Sequence, residues 1–295
     1  MNQEDKEKIL QAGKIASEAR EYARGFIKKG MPLNEIADKI EDKIVELGGK
    51  PAFPTCLSIN QFAAHYIPSH DDETLAEGIL KIDMGAHIDG WIADTAFSID
   101  LENTDENKKI IKASEEALDS AIKTIKEGIQ LREIGMAVQK TIESYGLNPI
   151  VNLFGHGVDR YDLHARVSIP NFDNKKTTEI TKGLYAIEPF ATTGNGRVRD
   201  GRPSGTYRLI SDKNIRSPIA REVLEFIIEE YNTLPFCSRW LVKKFGTKAL
   251  IGLKQLEENG NLQDYAVLIE SSNGKVAQTE HTILVEENGI IVTTK

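Results

Sequence analysis

Asp83, Asp94, His156, Glu188 and Glu280 are the residues of this chain whose types and settings can do chemistry. Four carboxylates and one imidazole supply the bridging and terminal ligands that a pair of divalent metal ions needs. The aspartates stand in IDMGAHIDGWIAD, the histidine in FGHGVDRYDLH, and the glutamates in IEPFATTG and AQTEHTILV. An aspartate beside a turn, or a histidine beside glycine, is by itself most often structural. Four such settings in this order are hard to obtain by chance, and together they point to metal ligation.

Positioning these side chains requires strands. Asp89-Gly90 is a two-residue hairpin signal. With that turn, Asp94 lies opposite Gly85, and Asp83 lies one diagonal step away on the same face, about 7–8 Å off at the backbone. Pro189 pushes Glu188 into extended backbone at a strand end. Glu280 reads as mid-strand, with Gln278 and Thr282 on its face. A carboxylate in so apolar a strand requires a partner, because burying it alone is costly. Gly155 and Gly157 are expected to leave room beside His156 for an ion.

Helical periodicity appears over residues 4–28, with Ile9, Ala12, Gly13, Ala16, Ala19, Ala23 and Phe26 on one side. A second helix opens at Pro32 and stops at Gly48-Gly49. Two more are expected over 105–127 and 131–145. Strand-like segments fall at 79–83, 87–99, 184–190, 265–270, 276–285 and 290–293, with hairpin turns expected at Asn273-Gly274 and Asn288-Gly289. Two helices thus precede one carboxylate hairpin and two more precede the remaining ligand strands, a weak twofold repeat with halves near 1–104 and 105–295. Three short helices between Glu188 and Glu280, the first capped by Ser217-Pro218, do not fit the repeat and form an insert. Its run of Arg239, Lys243, Lys244, Lys248 and Lys254 contains no acid and reads as a solvated helical face.

Lys+Arg of 37 against Asp+Glu of 45 gives a net charge of −8, which disfavours a nucleic-acid binder as a whole. Cys56 and Cys237 are expected to be free thiols in a reducing compartment. No segment approaches the ~20 apolar residues of a membrane span, and the N-terminus lacks the apolar run of a signal peptide. A cytoplasmic location is the expectation.

These motifs, with FPTCLSIN…AAHY and the closing GIIVTT, resemble the methionine aminopeptidases of type II over essentially the whole chain, in the short archaeal form. The resemblance implies an α+β pita-bread fold, a pseudo-twofold antiparallel sheet flanked by helices, as one catalytic domain (1–295). Within it, 195–272 would be the winged-helix-like insertion of type II. It implies that Asp83 binds one metal, that His156 and Glu188 bind the other, and that Asp94 and Glu280 bridge the two. His65 and His164 match the family's two active-site histidines, and Phe53, Leu163 and Tyr265 its methionine pocket. Cys56 lies near that pocket without a role, and His70, His87 and His281 are read as structural or surface.

The implied reaction is metal-dependent removal of the N-terminal methionine from nascent proteins, with small second residues preferred. Glu188 would shuttle a proton, and His65 or His164 would donate to the oxyanion. Two ions per chain are expected, of cobalt, manganese, iron or zinc, and the chain is expected to be a monomer. A non-enzymatic pita-bread binding protein and a proline-type aminopeptidase are the alternatives. The first typically lacks metal ligands that are present here, and the second usually carries an N-terminal domain for which this chain has no room. A further reading docks the basic run of the insert on ribosomal RNA.

Overall fold

The computed structural model describes residues 2–295. The first half runs α1 (Gln3–Phe26), α2 (Leu33–Glu46), β1 (Lys50–Ile59), β2 (Phe62–Ala64), β3 (Ile79–Ile88) and β4 (Trp91–Asp100). The second half again begins with two helices, α3 (Asp105–Thr124) and α4 (Leu131–Ser144), followed by β5 (Asn148–Pro149), β6 (Phe154–Asp159), β7 (Asp162–Pro170), β8 (Gly183–Ile187) and β9 (Phe190–Thr192). Next come β10 (Val198–Leu209), α5 (Pro218–Glu230), β11 (Phe236–Cys237), α6 (Ser238–Phe245), α7 (Lys248–Glu258) and β12 (Leu262–Glu270). The chain closes with β13 (Val276–Gln278), β14 (Glu280–Glu286) and β15 (Gly289–Val292).

The main sheet has the order β1-β3-β4-β14-β8-β6-β7, with β15 paired to β14. Every neighbouring pair is antiparallel. Alternation along the strands gives this sheet two faces. Leu80, Ile82 and Met84 of β3 and Ala93 and Phe97 of β4 pack against the apolar stripes of α1 and α2. Tyr185, Ile187, Ile283 and Val285 pack in the same way against α3 and α4. Each large aliphatic buried here contributes about 1.5–3 kcal/mol. A one-residue slip in register would carry all of them to the other side, so the helix face fixes the register. The opposite face, carrying Val158, Leu184, Ala186 and Leu284, is left for the site. The paired helices over each half of the sheet are the twofold repeat expected from the order of elements, and the architecture is the pita-bread fold.

Local chemistry sets the element ends. Asn2 caps α1 by accepting from the Asp5 amide, Thr104 caps α3 by accepting from Asn107, and Ser217 with Pro218 opens α5. Ile88 pairs with Trp91 across a two-residue turn in which Asp89 (φ 49°) and Gly90 (φ 83°) are both left-handed. This is the turn that the Asp-Gly pair favours. Gly85 then faces Asp94, and Asp83 faces Ala96, the register that the sequence implied.

Three sequence expectations are corrected. Residues 276–285 do not form one strand: β13 pairs with β9 in a separate sheet, and β14 starts at Glu280, which is therefore a strand opening rather than mid-strand. Asn273 (φ 61°) does turn, but it joins β12 to β13 in different sheets and forms no hairpin. Pro189 likewise divides 184–190 into β8 and β9. The turn before β15 does close a hairpin, with Glu286 opposite Gly289. The twelve-residue β10 escaped the periodicity altogether, because its pattern is mostly exposed or half-buried and carries Gly201, Pro203 and Gly205.

The segment carrying β10, α5–α7, β11 and β12 has its own core of Val223, Ile227, Leu241, Leu253 and Leu256. Its sheet, β11-β10-β12, is extended by β2 of the first half. The basic run is not one solvated face. Arg239 is buried and paired with Glu41 and Asp38, Lys243 also pairs with Asp38, Lys248 with Glu222 and Lys254 with Glu258. Lys244 lies over the Phe226 ring.

Candidate metal centre

Asp83, Asp94, His156, Glu188 and Glu280 all line one cavity of about 310 Å³ on the free face of the main sheet. β3 and β4 bring in the aspartates, β6 the histidine, the end of β8 Glu188, and the start of β14 Glu280. Glu280 faces Ala96 across β14 and β4, and His156 faces Ala186 across β6 and β8, so neighbouring strands deliver the side chains side by side. His156 Nε2 stands 3.6 Å from Glu188 Oε1 and 3.8 Å from Asp94 Oδ2. One ligand atom from each of Asp94, His156 and Glu280 lies within 4.8 Å of the others. The glycine beside the histidine serves the sheet rather than an ion: a Cβ on Gly155 would sit 2.4 Å from the Ala186 carbonyl oxygen.

Electrostatics distinguish this cluster from an ordinary polar core. Burial pushes the Asp83 carboxyl up to about 6, against the hydrogen bond from Gln278. Burial, then the neighbouring Asp83 charge, pushes Asp94 well above the usual range. Glu188 is raised by burial and then by Asp83 and Asp94, and Glu280 by burial and then by Asp94 and Glu188. Asp83 Oδ1, Asp94 Oδ1 and Glu280 Oε1 are buried without a hydrogen-bond donor from the protein. Four carboxylates cannot all be ionised here without a cation among them. Burial pulls His156 down to about 4, so the ring is neutral at physiological pH. Its Nδ1 lies 3.2 Å from the Gly157 carbonyl, which can only accept, so Nδ1 carries the proton and Nε2 turns its lone pair toward the carboxylates. Orphaned anionic oxygens and a free imidazole nitrogen are the donor set of a divalent metal, and the residues fit one.

The remaining residues singled out in the sequence divide cleanly. His65, His164, Phe53, Leu163 and Tyr265 line the same cavity, as does Cys56. The His164 ring meets His156 edge-on at 4.5 Å, and the His65 ring meets Tyr265 edge-on at 5.7 Å. His65 has a left-handed backbone (φ 61°), a strained conformation for a residue with a side chain. Burial lowers the pKa of both rings, and His156 lowers that of His164 further. His87 and His281 lie elsewhere: His87 Nδ1 accepts from the Gly90 amide in the hairpin turn, and His281 Nδ1 lies 2.9 Å from Thr294 Oγ1. Sequence reasoning missed the wall formed by Ile67, Thr206, Pro235 and Phe190. Nothing local marks these residues, since Thr206 and Pro235 reach the cavity only through the folding of the insert. Gln278 was noted only as a face neighbour of Glu280, yet its Nε2 donates to Asp83 Oδ2 at 3.2 Å.

A two-halved antiparallel sheet with such a centre on its open face defines a metal-dependent hydrolase of the pita-bread type. Residues 7–287 match metallopeptidase family M24. The chain is 46% identical to the methionine aminopeptidase of Methanocaldococcus jannaschii over 298 residues, covering 100% of each. Among solved structures it is similar to methionine aminopeptidase from Thermotoga maritima, with a TM-score of 0.72, 26% identity, and 100% of this chain and 98% of that one covered. The structure of a thermophilic Arx1 has a TM-score of 0.86 at 17% identity, covering 99% and 91%, which speaks for the fold alone. The chain belongs to family M24, in its methionine aminopeptidase branch, and that membership carries the use of divalent metal. No helix among the described residues is long and apolar enough to cross a membrane.

Proposed function

We propose that this chain hydrolyses the first peptide bond of proteins and peptides that begin with methionine, using two divalent ions held by Asp83, Asp94, His156, Glu188 and Glu280. The observation that carries this reading is the set of buried, unpartnered carboxylate oxygens facing a neutral imidazole across an apolar-walled cavity. Bound there, divalent metal supplies a Lewis acid and lowers the pKa of a water, making hydroxide available near neutral pH. Asp94 and Glu280, on adjacent strands, would be shared between the ions in this reading, with Asp83, His156 and Glu188 as the remaining ligands. Manganese, iron, cobalt and zinc all suit such ligands.

The two further histidines receive different roles from their hydrogen bonds. His65 Nδ1 lies 3.3 Å from the Ala266 carbonyl, which only accepts. A neutral His65 therefore carries its proton on Nδ1 and offers a lone pair at Nε2, suited to accept from a substrate N–H. His164 is left to donate to the developing oxyanion, worth about 3–4 kcal/mol for a well-aimed donor. Glu188, whose carboxyl is raised by burial, takes the proton of the attacking water and returns it to the leaving amine. Phe53, Leu163 and Tyr265 enclose the methionine side chain, and crowding beyond them favours small second residues. Residues 195–272 act as an insertion that supplies one wall of this pocket, through Thr206, Pro235 and Tyr265.

The test is hydrolysis of a Met-Ala-Ser peptide by metal-free protein titrated with Mn²⁺, Fe²⁺ and Co²⁺. Free methionine should appear only when metal is restored. Stoichiometric metal binding with no hydrolysis by any ion would overturn the enzymatic reading in favour of a binding protein.

A further inference from the structure

The short strand β13 leaves the main sheet to pair with β9, yet two buried side chains tie it back. Lys81 of β3, 1% exposed, donates through Nζ to the Val276 carbonyl at 2.9 Å and to the Asn60 carbonyl at 3.0 Å. Ser98 of β4 donates through Oγ to the Gln278 carbonyl at 2.8 Å and accepts from the Gln278 amide at 2.9 Å. Both ends of a three-residue strand are thus fixed by the strands that carry Asp83 and Asp94. A buried lysine without a carboxylate is costly to keep, and its hydrogen bonds here go to backbone carbonyls alone. The arrangement holds Gln278, itself 1% exposed, in one place.

From that place the Gln278 amide donates to Asp83 Oδ2, and Asp83 Oδ1 has no protein partner. A carboxylate must be the acceptor, so the orientation of the amide is set: nitrogen toward Asp83, oxygen away. That oxygen, Gln278 Oε1, is also buried without a partner. We propose that Gln278 is the positioning residue of the centre: clamped by Lys81 and Ser98, it occupies one oxygen of Asp83 and leaves the other to metal. Without this hydrogen bond the Asp83 carboxylate has one fewer contact to fix its orientation, and a ligand that must be ordered on binding loses affinity by the cost of ordering it.

The inference rests on the reading of Asp83 as a metal ligand, and the experiment separates the two. Mn²⁺ binding to purified, metal-free full chain is measured by calorimetry for wild type, Gln278→Met and Asp83→Ala, alongside the metal-free melting midpoint of each. Gln278→Met keeps the size of the side chain and removes its donor. Its Kd should rise about 10- to 100-fold, the range for residues that orient metal ligands, while the metal-free midpoint stays near wild type. A wild-type Kd in Gln278→Met, with binding lost in Asp83→Ala, overturns the positioning role alone. Wild-type binding in Asp83→Ala overturns the metal-ligand reading and the inference with it. Should Gln278→Met not fold, Ser98→Ala carries the test: releasing the clamp should raise Kd, and an unchanged Kd overturns the proposal.

Discussion

Among the described residues, two clusters of buried charge are satisfied in different ways. Where α6 of the insert meets α2, the Arg239 side chain, 2% exposed, donates to Glu41 Oε1 at 2.7 Å, to Asp38, and to the Pro68 carbonyl at 3.2 Å. Glu41 also accepts from Trp240 Nε1 at 2.7 Å and from the Thr55 amide at 3.1 Å. Burial alone would lower the Arg239 pKa, but Glu41 and Asp38 override it and the guanidinium stays charged. The candidate metal centre is the opposite case. Its carboxylates repel one another, their pKa values are pushed up, and three of their oxygens find no donor. A buried charge closed by the chain itself holds elements together. One left open requires a partner from outside and marks where chemistry is done.

The sharpest way to break this contrast is to neutralise one member of each cluster. Glu280→Gln should lower kcat/KM for a Met-Ala-Ser peptide by at least about 10³-fold, more than the loss of a single well-aimed donor. Its metal-free melting midpoint should hold or rise, because one repelling buried charge has gone. Glu41→Gln should do the reverse, destabilising the chain by about 3–5 kcal/mol in urea titration by stranding Arg239, while folded protein still binds Mn²⁺. If both variants lose stability alike, the two clusters are the same kind of feature and the distinction fails.

His164→Ala tests the division of labour within the site. It should lower kcat about 10²- to 10³-fold with metal affinity retained. Equal loss of both would remove His164 as the oxyanion donor. His65→Ala should act mainly on KM for the peptide, since its Nδ1 proton is already given to Ala266.

The sequence made one half of this comparison legible and hid the other. The five residues that meet in one cavity, the hairpin register that sets Asp94 opposite Gly85, and the paired helices were all readable, because turn chemistry and period-two alternation are local signals. The Arg239 cluster was read as part of a solvated basic face, because nothing near Arg239 announces partners two hundred residues earlier on α2. The break between β13 and β14 was missed for a related reason. Gln278 and Glu280 share an alternation, but Gln278 pairs with Phe190 of another sheet, and only the fold decides that. Local chemistry was visible in the sequence, and long-range satisfaction was not.

Acidity gives a smaller effect with a definite sign. Folding raises the Asp83 pKa from the ordinary 3.8 to about 6. The folded state therefore binds that proton more tightly, and its contribution to stability is fully present below the unfolded value and lost as pH rises through about 6. His156, pulled down to about 4, works in the opposite direction in both wild type and an Asp83→Asn variant. Asp94, Glu188 and Glu280, each raised by burial and in part by the Asp83 charge, lose that second part of their shift in the variant and add to the difference in the same direction. The stability of metal-free Asp83→Asn minus that of wild type should be greatest above pH 6 and shrink toward pH 4. With Mn²⁺ bound, protons compete for the ligands, so affinity should fall as pH drops through the same window. A difference independent of pH would mean that Asp83 ionises in the folded chain as it does in the unfolded one.

The smallest effect calibrates the scale. Lys254 and Glu258 stand 4.0 Å apart, one helical turn along α7, with both side chains more than half exposed. Water screens such a pair, and ordering two long side chains costs nearly what the attraction returns. Lys254→Ala should change stability by less than about 0.5 kcal/mol and leave Mn²⁺ affinity and peptide hydrolysis at wild-type levels. The residue shares a basic run with Arg239, the group that Glu41→Gln strands, so the two substitutions set an exposed charge of that run against a buried one. A large loss from Lys254→Ala would show that charge in the insert matters wherever it lies. A null result beside a large loss from Glu41→Gln would assign the effect to desolvation of a paired charge.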